Sequence, residues 1–129
     1  MTEMDAVQAW KTSAADSWDT AKKLIEAKKY AHCLFFVHLA LEKLVKGLHQ
    51  HLRHEPALPL HNLYKLAINA GLEINSELEK ELNEISTFNV SARYDDYKRS
   101  FYEKADESYA KEWFDRGRKI YELFLDQIQ

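Results

Sequence analysis

Residues that turn a chain are scarce here: three glycines and two prolines among 129 positions. A chain so poor in them reverses direction seldom, so it must cross its own core in a few long segments. The spacing of the apolar residues makes those segments helices. Val7, Trp10, Ala14, Trp18, Ala21, Leu24 and Ile25 recur at three- and four-residue steps, the period of one helix face. Asp5 is placed to cap this helix and Lys28-Lys29 to close it, since cations favour a helix C-terminus.

A second helix is expected from about Tyr30 to about Leu52, with Leu34, Val37, Leu41, Leu44, Val45, Leu48 and Leu52 as its apolar stripe. At about 1.5 Å per residue it is roughly 33 Å long, enough to cross a small domain. Pro56 and Pro59 then block continuation. His61 to Ala70 reads as a short helix stopped by Gly71. Asn75 or Ser76 caps the next, which sets Leu78, Leu82 and Ile85 against a glutamate-rich outer face. Residues 87–102 read as helix end, loop and restart. A last helix is expected from about Glu103 to Ile128, burying Ala105, Tyr109, Trp113, Ile120, Phe124 and Ile128. No alternating strand pattern, repeat or low-complexity linker interrupts this order. The expectation is one all-α domain over residues 1–129, an up-and-down helical bundle of four long helices and one short one.

Composition closes off several classes. With 46% apolar and 30% charged residues the chain is an ordinary folding sequence, long enough to bury a core. No apolar run approaches the roughly 20 residues of a membrane span, and the acidic, polar N-terminus does not resemble a secretion signal. Cys33 is the single cysteine, so no intramolecular disulfide can form, and a reducing, cytoplasmic setting is expected. Beside Leu34 and Phe35 it reads as a small core residue. The net charge of -3 does not suggest a nucleic-acid binder, but its distribution is uneven. Residues 28–54 hold five Lys/Arg against one Glu, and residues 73–90 hold five Glu against one Lys. The two segments can face each other or different partners.

Three groups of polar residues exceed what a bundle needs. His38, Glu42, Lys46 and His49 line one strip of the second helix, with Lys43 beside them. The bland reading is an ion pair on a solvated face, stabilising by a few tenths of a kcal/mol. Five of the six histidines fall within His38–His61 and invite a metal reading. His38 and His49 are about three turns apart and cannot share an ion, while His49 and His51 point to different sides of a helix. His51 and His54 have chelating spacing, but no zinc-site framework accompanies them. Surface histidines on a basic helix end account for the cluster better, and no metal or cofactor is expected. His61, at the start of the short helix, is placed to cap and point inward. Last, Arg93 stands with Tyr94 and Tyr97 between helices, where an arginine beside tyrosines can clamp a phosphate and stack on a base. Equally, Arg93 can pair with Glu42 or Asp96 while both tyrosines pack on the bundle.

These residues carry a family resemblance. His38-Leu-Ala-Leu-Glu-Lys-Leu-Val-Lys46 resembles the marker of the HEPN domain, in which glutamine or histidine is followed by a small residue, Glu-Lys and a further Lys. Leu60-His61-Asn62-Leu63 with Leu66 resembles its second marker, and Ala92-Arg93-Tyr94-Asp95 its third, with Asp95 where proline commonly sits. The resemblance spans nearly the whole chain with its markers in order. It implies a helical bundle, commonly a homodimer, often encoded beside a minimal nucleotidyltransferase in toxin–antitoxin pairs. Many members are metal-independent ribonucleases whose arginine is followed four to six residues later by a histidine. There the histidine would handle a proton at the ribose 2′-hydroxyl and the arginine would stabilise the phosphorane. This chain departs at that point. Lys98 and Arg99 stand there instead, with four and five residues between them and Arg93, and no histidine follows Arg93 at all. Lysine is a poor general base near neutral pH.

The leading expectation is therefore a binding module rather than an enzyme. Lys43, Lys46, Arg93, Tyr94, Lys98 and Arg99 would take a nucleotide or RNA, while Glu42 would pair with Arg93. His38, Glu42, His61 and Asp95 would be structural, and partners would be a second copy and a minimal nucleotidyltransferase. The alternatives are a ribonuclease toxin with an altered site, using Arg93 with Lys98, Arg99, His38 or His61, and a dimerisation module built on Tyr94, Tyr97, Phe101 and Tyr102.

Overall fold

The computed structural model describes residues 2–93 and 100–128, and the side chains of all of these but 90–93. Among the described residues six helices follow one another: α1 (Glu3–Glu26), α2 (Tyr30–Arg53), α3 (Leu63–Ala70), α4 (Ser76–Arg93), α5 (Ser100–Lys104) and α6 (Glu107–Asp126). They form an all-α bundle, as the periodicity predicts.

The helix ends follow local chemistry, with some corrections to the expected boundaries. Thr2, not Asp5, caps α1. Its hydroxyl accepts the Asp5 N–H at 3.1 Å, and the Asp5 carboxylate accepts the Thr2 N–H at 3.0 Å, a reciprocal capping box. Lys28, with φ of 61°, supplies the left-handed residue at the reversal into α2. His54 ends α2 in the same region, φ 60°, two residues before Pro56. Asn62 caps α3 by accepting from Lys65 N–H at 2.9 Å. Gly71 closes it at φ 90°, where a side chain would be strained. Asn75 caps α4 through Leu78 N–H at 2.7 Å.

The expected last helix is two. It breaks at Ala105, and Asp106 restarts it by accepting the Tyr109 N–H at 2.9 Å. The Asp-Glu pair at 106–107 is an N-terminal signal hidden inside an uninterrupted apolar period. The described bundle thus has two short helices, not one.

The core sits around α2, which contacts each of the other five helices. Fourteen of its residues are buried, on all sides rather than along one stripe, as expected of a helix with apolar residues around its circumference. Leu52 departs from the expected stripe, being 41% exposed near the helix end. α6 approaches α2 closely at Gly117, where a Cβ would stand 2.6 Å from Val37 Cγ1. Trp18 of α1 stacks on Phe114 and Tyr121 of α6, with ring centroids 4.8 and 5.4 Å away. Cys33 is fully buried and burial pushes its thiol up to about 12, so it is an inert core residue.

Candidate functional site

The central position of α2 turns its polar strip inward. Glu42 and His49 are buried and His38 fully so, while the Lys46 side chain is only 13% exposed. The solvated ion pair read from spacing is corrected here, and so is a surface position for His38 and His49, because other helices cover the face that carries them. His51 and His54 do lie at the surface. In the sequence, the warning was the nearly continuous apolar run before Glu42, which leaves α2 no wet side.

The strip is wired to α3. Glu42 Oε2 accepts from Lys46 Nζ at 3.1 Å, and Oε1 accepts from His61 Nδ1 at 3.0 Å. His38 Nε2 donates to the backbone carbonyl of His61 at 2.8 Å and lies 3.9 Å from Glu42 Oε1. A carbonyl only accepts, so the His38 proton is on Nε2, and buried Nδ1 has no partner among the described residues. Lys46 Nζ also lies 5.9 Å from the centre of the Trp10 ring, a cation–π contact from α1. Lys43 donates to Ser17 Oγ of α1 at 2.9 Å. Both lysines expected to present charge to a ligand are therefore engaged within the bundle. Ser17 and Trp10 were not legible as their partners, since no spaced motif links them to α2.

His61 was expected to point inward. Its side chain is instead 58% exposed, with only the Nδ1 edge turned to Glu42. Because the carboxylate accepts, Nδ1 carries a proton, and in the neutral ring the lone pair is on Nε2. The next residues tie this corner to α4, where Ser86 Oγ accepts the Leu63 N–H at 2.9 Å. Ser86 precedes Arg93 by about two turns on one face of α4. Arg93 is the last residue of α4. Its side chain, and with it the expected Glu42–Arg93 pair, lies outside the described residues, as do Tyr94, Asp95, Lys98 and Arg99.

The remaining histidines are separate from this network. His49 Nε2 lies 3.7 Å from Glu55, and His54 Nδ1 meets Glu3 at 2.5 Å. Among the described residues no group of three or more His, Cys, Asp and Glu is placed to hold a metal ion. No described helix is long and apolar enough to cross a membrane.

Burial lowers the pKa of His38, outweighing the opposing carbonyl bond and the charge of Glu42. The unfolded chain therefore takes up a proton that the folded one refuses as pH falls below the ordinary value of 6.5. Stability is full above that pH and is lost on acidification, by at most about 1.4 kcal/mol per pH unit for one proton. His38→Gln keeps an N–H donor of similar reach without titrating. Between about pH 7 and pH 5, its urea midpoint should fall less than that of the wild type. Equal falls would place the acid sensitivity elsewhere.

The arrangement defines a class: an all-α bundle whose central helix carries a buried His/Glu/Lys strip latched to the start of a short helix. Residues 7–128 match the HEPN domain, and the chain belongs to that family. A protein of Thermus thermophilus, TT1696, has a similar crystal structure, with a TM-score of 0.77 over 94% of this chain and 97% of that one. At 16% identity the likeness is one of fold. No curated protein matches the chain at a significant level.

Proposed function

We propose that this HEPN domain is a binding module that takes a phosphate-bearing ligand, a nucleotide or RNA, where α3 begins beside the C-terminal half of α4. The observation that supports it most is the His61 ring. The buried strip of α2 holds its backbone and one nitrogen while the side chain stays more than half exposed, which packing alone does not require. With Lys43 and Lys46 engaged internally, the ligand contacts fall to His61 together with Arg93, Tyr94, Lys98 and Arg99. Those residues supply three permanent cations and a stacking ring within seven positions. Family membership adds the expectation of a second copy and of a minimal nucleotidyltransferase as partner. The proposal assigns binding and no reaction, since no histidine follows Arg93.

Anisotropy titrations of labelled single-stranded RNA and of a fluorescent ATP analogue test this reading. Arg93→Ala should weaken binding about ten-fold, as for loss of a charge-assisted contact. Lys98→Ala should lower the salt slope by about one if it touches phosphate. Unchanged affinity for both probes in both variants would sink the proposal.

A further inference from the structure

His61 differs from the other accessible histidines described. The ring of His32 meets Tyr102 edge-on, and His51 has no acidic partner among the described residues. The acid partner of His54 is Glu3, whose side chain is 41% exposed, so water competes for that pair. Among the described histidines only His61 combines an open ring with a carboxylate that is itself buried, the Glu42 side chain being 9% exposed. Glu42 is fixed by Lys46, and the backbone of His61 is fixed by His38.

We infer that His61 is a phosphoryl-accepting nucleophile, poised by Glu42 to take a phosphoryl group on Nε2 from an activated donor such as a phosphoramidate or an acyl phosphate. A carboxylate holding one imidazole N–H fixes the tautomer and the ring's orientation, and leaves the lone pair of the neutral ring on the other nitrogen. In the neutral ring the Nε2 lone pair attacks phosphorus directly. The new N–P bond forms as the bond to the leaving group breaks. The leaving group departs with that electron pair: ammonia from a phosphoramidate then takes a proton from the solvent, whereas the carboxylate from an acyl phosphate stays ionised.

In the adduct Nδ1 keeps its hydrogen, now on a more electron-poor ring, and Glu42 continues to accept it. A phosphoryl group, rather than a neutral acyl group, suits the position, because α3 begins two residues later and its N-terminal end favours negative charge. His38, by contrast, is buried and its Nε2 is occupied, so it cannot act as the acceptor. The inference stands on the geometry of the ring and does not depend on RNA or nucleotide binding.

Treating the intact wild-type protein with limiting potassium phosphoramidate at neutral pH tests it, with phosphorus NMR and peptide mass spectrometry locating the label. His61 should be labelled at least about ten-fold faster than His32, His51 or His54. Glu42→Gln should bring it down to their level. Comparable labelling of all four histidines in the wild type would overturn the inference even if Glu42→Gln proved too unstable to use. So would fast labelling of His61 that Glu42→Gln leaves unchanged in a folded protein. An Arg93-dependent RNA affinity alongside unselective labelling would uphold the binding reading and reject this one.

Discussion

Phe88→Ala is expected to lower the stability of the domain by about 3–5 kcal/mol, the range for deleting a buried aromatic ring. Phe88 is fully buried in α4. Its ring centre lies 5.9 Å from that of Phe101 in α5 and 6.1 Å from those of Tyr109 and Trp113 in α6. One side chain thus joins three helices that otherwise touch one another little. Tyr109 cannot swing in to fill the void, because its hydroxyl is bonded to Glu84, which also binds Lys104 at 3.1 Å. Poor relaxation puts a cavity at the costly end of its range.

Against a total stability of about 5–15 kcal/mol the loss is about a fifth or more. It should appear as a fall of about 10–20 °C in the thermal midpoint. The functional consequence is larger than the position suggests. Phe88 lies little more than one turn before Arg93 and packs on Phe101, so it anchors α4 and α5, the helices on either side of residues 94–99. RNA affinity should fall with stability although Phe88 touches no ligand. Leu123→Ala, on the 48% exposed outer face of α6, is the control, with an expected change within about 0.5 kcal/mol. If the two variants unfold at similar urea concentrations, the aromatic cluster is not the joint described.

The split fate of the last two helices shows what apolar spacing can tell. Ile120 and Phe124 are buried as their spacing predicts and Tyr109 and Trp113 are half-buried on the same face, because the period survives any packing arrangement. The break before α6 depends on Asp106 offering an oxygen to Tyr109 N–H, a contact of one side chain that leaves the period intact. Likewise, Thr2 and Asp5 form a capping box whose two halves read equally well as one cap. Such signals are short and are easily absorbed into a longer pattern.

The site was legible as a set of residues but not as an arrangement. His38, Glu42 and Lys46 stand out because they interrupt a run of leucines. The same i,i+4 spacing describes a wet ion pair and a buried one, so burial had to come from the five helices around α2. The latch to His61 spans 19 residues and two prolines, and no local rule connects its ends. It gives a physical reason for a histidine at position 38, whose Nε2 meets the backbone carbonyl of His61. An apolar residue there would leave that carbonyl without this donor.

Glu42→Ala is the second large effect, expected to cost about 3 kcal/mol, by the argument that breaking one side of a buried pair costs about 3–5 kcal/mol. The Glu42 carboxylate is the common acceptor for Lys46 and His61. Removing it leaves an ammonium whose side chain is 13% exposed without its counter-charge. The lower end of the range applies here, because the Lys46 stem can extend toward water and the His61 ring already reaches it. Trp10 retains a weak hold on the ammonium but offers no charge. Replacing both ends, as in Glu42→Leu with Lys46→Met, removes the desolvation cost together with the attraction. That double variant should be as stable as the wild type or more so, yet it frees the His61 ring to rotate. Urea unfolding of the single and double variants, read beside RNA affinity and phosphoramidate labelling, separates the two roles of the strip. A double variant that is stable but has lost the selectivity of His61 would mean that the charges are kept to hold that ring. A double variant as unstable as Glu42→Ala would mean that the strip is needed to hold α3 on α2, and that the ring geometry is a by-product of that latch.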